Sequence, residues 1–138
     1  MNILVAGGLG AVGSALVPEL KRRGHNVFVI DLDTHHHEEN YARVDVGEFR
    51  QLEKLWTGTG WERGFLNSPR KFDMVFHLAA EFGRWNGEDY YETMWKTNAV
   101  GTKNLLKMQE KEGFQTVYFS TSEVYGDYRD IMVEDVMA

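Results

Sequence analysis

Three glycines set three residues apart, Gly7, Gly10 and Gly13, stand directly between an apolar run and a stretch of helical spacing. The run Ile3-Leu4-Val5-Ala6 is short, rich in branched residues and ended by glycine, so it reads as a buried strand. Residues 11–23 place Val12, Ala15, Leu16 and Leu20 at helical intervals, with Lys21, Arg22 and Arg23 in the last turn and Gly24 beyond. Cations there favour the negative end of the helix dipole, and glycine stops the helix. Pro18 lies inside this helix and is expected to kink it. Strand, glycine turn and helix together suit a dinucleotide. Gly7 permits the tight turn, Gly10 lets the backbone approach a pyrophosphate, and Gly13 lets the helix pack on the sheet. Ala11 and Val12 complete the turn, where unpaired N–H groups meet the phosphate charge. The competing reading is an ordinary strand-to-helix turn; the strand before and the helix after favour the dinucleotide.

The rest of the chain continues the same architecture. Residues 27–32 form a second apolar strand carrying Asp31, 18 residues beyond Gly13. A carboxylate at that strand end accepts hydrogen bonds from adenosine ribose hydroxyls and repels a 2′-phosphate, which favours NAD over NADP. Asp33 is a second candidate one step into the loop. A third, shorter strand is expected over 43–46, a weak helix over 48–56, and an irregular connection over 57–71 with three glycines and Pro69. A fourth strand runs over 74–80. After a polar loop a long helix spans 90–112, with Met94, Asn98, Gly101, Leu105 and Met108 on one face and Gly113 at its end. A fifth strand covers 116–120. The tail 126–138 is acidic and has no clear period. Apolar rather than alternating strands require burial on both faces. The prediction is an α/β, Rossmann-type three-layer sandwich with a parallel sheet of order 3-2-1-4-5, the dinucleotide crossing between strands one and four.

Composition limits the partners. A chain of 138 residues fits one domain, 1–138, and 43% hydrophobic with 26% charged residues is an ordinary globular balance. A net charge of -6 argues against a nucleic-acid-binding face. No apolar run approaches the roughly 20 residues that span a bilayer, and no membrane partner is expected. Zero cysteines exclude disulfides and thiol chemistry, and no metal site is expected. Met1-Asn2 leads straight into the first strand without the charged start and apolar stretch of a signal peptide, so a cytoplasmic location is expected.

Further motifs carry a resemblance. Gly7-x-x-Gly10-x-x-Gly13, Asp45-Val46, His77-Leu78-Ala79-Ala80, Asn98 with Gly101-Thr102 and Asn104-Leu105-Leu106, and Ser120-Thr121-Ser122-Glu123-Val124-Tyr125-Gly126 follow one another in order. Together they resemble the extended short-chain dehydrogenase/reductases, in particular the NAD-dependent nucleotide-sugar epimerases and dehydratases. The resemblance implies that Asp45-Val46 contacts the adenine and that Leu78, Ala79 and Ala80 line the cofactor. It also implies that Asn98 and Ser120 lie in the cofactor site. Thr121, Ser122 and Glu123 fall at the active-site strand end. Hydroxyls there can hold a sugar alcohol during oxidation, and Glu123 can move a proton. The competing reading is a hydrogen-bonded turn with a solvated carboxylate. Relatives that dehydrate a hexose carry Thr-Asp-Glu; Thr121-Ser122-Glu123 resembles the glucuronate decarboxylases and some epimerases. The run Glu81-Phe82-Gly83-Arg84-Trp85 departs from the decarboxylase pattern, so the reaction is kept broad.

The resemblance also implies a Tyr-x-x-x-Lys proton-transfer pair. Tyr118, Tyr125 and Tyr128 are followed four residues on by Ser122, Arg129 and Met132, so the pair is not among these residues. The chain is therefore expected to be the N-terminal, NAD-binding part of a longer enzyme that acts on a nucleotide sugar and forms a possible homodimer. Alone it is expected to turn over little or nothing. The reading from another class is a non-catalytic dinucleotide-binding or sensing module. Among other candidates, His35-His36-His37 with Glu38 and Glu39 reads as a solvated loop rather than a metal site. His77 reads as a satisfied core histidine. Trp85, Tyr90, Tyr91 and Trp95 read as core or interface packing, and Arg84 as an exposed loop cation.

Overall fold

The computed structural model describes residues 1–34, 37–59, 63–82 and 89–126 of the chain. Five strands form one sheet: β1 (Asn2–Ala6), β2 (Asn26–Asp31), β3 (Tyr41–Arg43), β4 (Met74–His77) and β5 (Gln115–Tyr118). Their order is β3-β2-β1-β4-β5, as the apolar runs predict, and every pair is parallel. The helices are α1 (Gly13–Arg22), α2 (Phe49–Thr57) and α3 (Arg63–Leu66). A long helical stretch follows, made of α4 (Tyr91–Met94), a π-helical segment (Trp95–Gly101) and α5 (Thr102–Glu112).

Alternation along the strands sends side chains into two cores. Ile3, Val5, Val27 and Val29 meet Val17 and Leu20 of α1. Leu4, Ala6, Phe28, Ile30 and Val75 face the other way and meet Leu52, Leu55 and Trp56 of α2 and Leu105 and Met108 of α5. Helices on both faces account for apolar strands without alternation. At the base of the second core Trp56 stacks on Phe114 and meets Phe72 edge-on, with ring centroids 5.6 and 5.2 Å away.

Several boundaries differ from the sequence expectations. The third strand lies at Tyr41–Arg43 rather than 43–46. Tyr41 anchors it: the ring packs in the α1-side core, and its hydroxyl lies against the carbonyl oxygens of Asp31, at 3.0 Å, and Asp33. Burial pushes this phenol up to about 12, with Asp31 and Asp33 adding to the effect. The fourth strand stops at His77 and the fifth at Tyr118, so Leu78-Ala79-Ala80 and Phe119-Ser120 form the rim above the sheet. A short helix, α3, occupies part of the connection expected to be irregular. The first helix starts at Gly13, with Pro18 inside it on the exposed side; Val12 and Ala15, expected to face the core, are exposed. Tyr90, Tyr91 and Trp95 are not in the core but 59%, 58% and 67% exposed. His35, His36, Arg84, Trp85 and the tail from 127 lie outside the described residues. Among the described residues no helix is long and apolar enough to cross a membrane.

Candidate functional site

A cavity of about 160 Å³ opens at the carboxyl ends of β1, β2 and β4. Gly7, Gly10, Asp31, Asp45, Val46, Leu78, Ala79 and Ala80, all singled out in the sequence, line it together. Ile30, Leu32, Val44, Glu81 and Thr97 complete the wall. These five carried no motif signal of their own, although each is a direct neighbour of a motif residue. This is where open parallel sheets place ligands, outside the strand ends at the reversal of strand order.

The glycine turn is shaped by close backbone approaches. Gly7 has φ +80°, and a Cβ there would lie 2.6 Å from the Ala79 nitrogen. A Cβ on Gly13 would lie 2.4 Å from the Gly8 carbonyl oxygen, whereas one on Gly10 would meet only Gly7 O, at 3.4 Å. Gly7 and Gly13 thus serve the turn itself, and Gly10 leaves open space on the cavity side. The N–H groups of Ala11, Val12 and Gly13 take no acceptor among the described residues. They are the orphan donors of a helix start, suited to a phosphate. Ala11 and Val12 are exposed, Gly13 is buried, and none of the three lines the cavity.

Asp31 ties the turn to β2. Its Oδ2 accepts from Leu9 N at 2.9 Å and its Oδ1 from Leu32 N at 2.7 Å. A carboxylate offers about four acceptor positions, so capacity remains for two ribose hydroxyls. Asp45 is held as closely. Its Oδ1 accepts from Gly47 N at 2.8 Å and its Oδ2 from Lys96 Nζ at 2.9 Å. Lys96 also reaches Glu48 at 2.7 Å; the Glu48 and Asp45 carboxylates raise its ammonium above the usual lysine range. The backbone around Val46 is pinned by the long helix. Asn104 Nδ2 donates to Val46 O at 2.9 Å, and a Cβ on Gly101 would lie 2.6 Å from Val46 Cγ2.

Asn98 does not line the cavity; Thr97 does. Both ends of the Asn98 amide engage the Glu81 backbone: Oδ1 accepts from Glu81 N at 2.7 Å and Nδ2 donates to Glu81 O at 3.0 Å. His77 is a core histidine, 3% exposed, with Nε2 2.9 Å from Thr102 Oγ1. Burial lowers its pKa to about 4. Ser120, Thr121, Ser122 and Glu123 follow β5 and are all exposed, away from the cavity wall. Thr121 caps the 3₁₀ turn Ser122–Tyr125, its Oγ1 accepting from Glu123 N at 3.3 Å. The hydroxyl run therefore makes the hydrogen-bonded turn that competed with the catalytic reading, and it stands on the same sheet rim.

The residues present fit a dinucleotide: a turn open at Gly10, orphan donors at a helix start, and a carboxylate at the end of β2. Comparisons with known proteins point the same way. Residues 3–137 match the model of the NAD dependent epimerase/dehydratase family. The UDP-N-acetyl-alpha-D-glucosaminuronate decarboxylase of Bacillus cytotoxicus is 32% identical over 127 residues, which cover 89% of this chain and 37% of that protein. UDP-glucuronic acid decarboxylase 4 of Arabidopsis thaliana is 33% identical over 138 residues, 92% of this chain and 27% of that one. The solved structure of MoeE5 in complex with UDP-glucuronic acid and NAD superposes with TM-score 0.78 at 28% identity, over 99% of this chain and 42% of that one. The chain thus spans well under half the length of these relatives. Sheet order, cavity lining and a family match over nearly every residue agree, and the chain belongs to the NAD-dependent epimerase/dehydratase family.

Proposed function

We propose that these 138 residues are the NAD-binding domain of an enzyme that modifies a nucleotide-linked sugar. The substrate-binding part lies outside them. One observation carries the reading: eight motif residues scattered from Gly7 to Ala80 line a single cavity at the strand ends. When bound, NAD supplies a hydride acceptor that transiently oxidises the sugar, at C4, and so activates its neighbouring positions. The chain's own residues bind and orient. Asp31 accepts from the adenosine ribose hydroxyls, the 45–46 segment meets the adenine, and Gly10 with the N–H groups of 11–13 receives the pyrophosphate. Leu78, Ala79 and Ala80 form the wall towards the reacting end, and Asn98 and Ser120 flank it. Thr121 orients the sugar hydroxyl, Ser122 stands beside it, and Glu123 assists proton movement. The Thr-Ser-Glu run and the names of the decarboxylase relatives favour a UDP-linked uronic acid among the possible sugars. A cysteine-free chain suits the cytoplasm. Homodimerisation of the longer protein is part of the same reading, supported by exposed Tyr91, Trp95 and Leu106 on the long helix.

Titration calorimetry with NAD and NADP tests the cofactor assignment. The Asp31 carboxylate repels a 2′-phosphate, so NAD is expected to bind at least about tenfold tighter than NADP. Tighter binding of NADP, or binding of neither, overturns the assignment.

A further inference from the structure

The wall from Leu78 to Glu81 is held in an unusual way. Up to His77 it belongs to β4, and the Leu78 N–H still reaches Ala6 O at 2.8 Å. Beyond that point the chain leaves the sheet ladder, and the two-point clip from the Asn98 amide takes over at Glu81. Asn98 lies in the π-helical segment, where the wider helical turn sets the direction of its side chain. Thr102 fixes that turn from below. Its hydroxyl lies 2.7 Å from Asn98 O and 2.9 Å from His77 Nε2.

The proton order in this relay follows from valence. A backbone carbonyl only accepts, so the single Thr102 hydroxyl proton is committed to Asn98 O. Thr102 Oγ1 must then accept from His77, which requires the Nε2–H tautomer. The chain of contacts runs from the last residue of β4, through Thr102 and Asn98, back to the backbone four residues beyond β4. It closes a loop around the segment that walls the cavity beside Gly7.

We propose that Thr102 is a positioning residue for the cofactor: by joining His77 to the Asn98 carbonyl it aims the Asn98 amide at Glu81 and so sets the position of residues 79–81. The proposal deepens the dinucleotide reading of the cleft and rests on it for its binding readout. Thr102 touches no ligand and acts through Asn98.

The test compares the 138-residue chain with Thr102→Ser, Thr102→Val and Asn98→Asp. The Ser variant keeps the hydroxyl, the Val variant removes it, and the Asp variant loses the donor to Glu81 O. NAD affinity is measured by calorimetry at a temperature where circular dichroism shows each variant folded. Amide hydrogen exchange is followed at Glu81 and, as a control, along β1 and β2. Thr102→Ser is expected to stay within about twofold of the parent. Thr102→Val and Asn98→Asp are each expected to weaken NAD about tenfold, the worth of a well-placed hydrogen bond. The Glu81 amide should exchange faster in Thr102→Val, whereas Asn98→Asp keeps an acceptor for it, and β1 and β2 should keep their protection. A purely structural role for Thr102 would lower the melting temperature and leave affinity and Glu81 exchange unchanged; that outcome overturns the proposal. So does equal weakening by Ser and Val. If Thr102→Val does not fold, Asn98→Asp decides, and parent-like affinity overturns it. Failure of the parent to bind NAD sinks the reading of the cleft instead, while the Glu81 exchange comparison still judges the relay.

Discussion

Two residues of the site show how a side chain's surroundings set its chemistry. Asp31 is fixed by two backbone N–H groups before any ribose arrives, so it is both a clasp for the glycine turn and a candidate ligand. His77 is the opposite case, a basic group kept neutral by burial. Its pKa falls from 6.5 to about 4 in the folded chain. The unfolded chain therefore takes up a proton over a range where the folded chain refuses it. Stability that is present above pH 6.5 is lost as the pH falls towards 4, and the loss levels off below that. With the residue 3% exposed, the effect over this window is about 3 kcal/mol. Urea unfolding at several pH values across the window should show this loss, and a His77→Gln variant should lack it. Parallel pH dependences in the two proteins would contradict the assignment. His77 was legible from sequence as a core histidine because it sits in an apolar strand, but it is only half satisfied: Nδ1 is buried with no hydrogen-bond partner among the described residues. Its bond to Thr102 was not, since it joins residues 25 apart through the fold.

At the scale of elements, the glycine turn separates two demands that its motif combines. A Cβ at Gly13 would strike the Gly8 backbone at 2.4 Å, and one at Gly7 would strike Ala79 N at 2.6 Å with φ already at +80°. Gly7→Ala and Gly13→Ala are each expected to cost about 1–3 kcal/mol of stability, read by denaturant titration. Gly10→Ala meets nothing closer than 3.4 Å and should stay within about 0.5 kcal/mol of the parent. It should nevertheless weaken NAD at least about tenfold, because its methyl group stands in the path proposed for the pyrophosphate. Parent-like NAD binding by Gly10→Ala would show that the dinucleotide takes another path. The turn, the parallel order and the buried face of the long helix were readable because glycine spacing and apolar periodicity are local signals. The third strand was displaced because its anchor is the Tyr41 hydroxyl on the 31–33 carbonyls, a tertiary contact. The π-helical segment was hidden for a related reason. Met94, Asn98 and Gly101 keep intervals of four and three, which suit a regular α-helix, and the widened turn shows only in the backbone of residues 95–101.

Across the whole molecule the site is unevenly built. The side proposed for the adenosine is closed by β1, β2, the 44–46 segment and the long helix, with Asp31 and Asp45 each held by two partners. Among the described residues the β5 side is open. Along β5, Gln115 and Tyr118 are exposed and Thr116 and Val117 half-buried, while Ser120, Thr121, Ser122 and Glu123 beyond it all face solvent. Hydride transfer needs a site from which water is excluded and a base to take the hydroxyl proton. These 138 residues contain no Tyr-x-x-x-Lys, and the Thr121 hydroxyl oxygen is engaged in capping its own turn. Cofactor binding and turnover should therefore separate. A polypeptide of these residues is expected to bind one NAD per chain in calorimetry. Given NAD and UDP-glucuronic acid, it should release no product above the enzyme-free control by chromatography and show no rise in reduced-nicotinamide absorbance. Binding without turnover would assign the closed half of the site to the dinucleotide and the open half to residues supplied from elsewhere. Measurable conversion would mean that Thr121, Ser122 and Glu123 suffice for proton transfer while standing in solvent, and the division of labour proposed for this domain would fall.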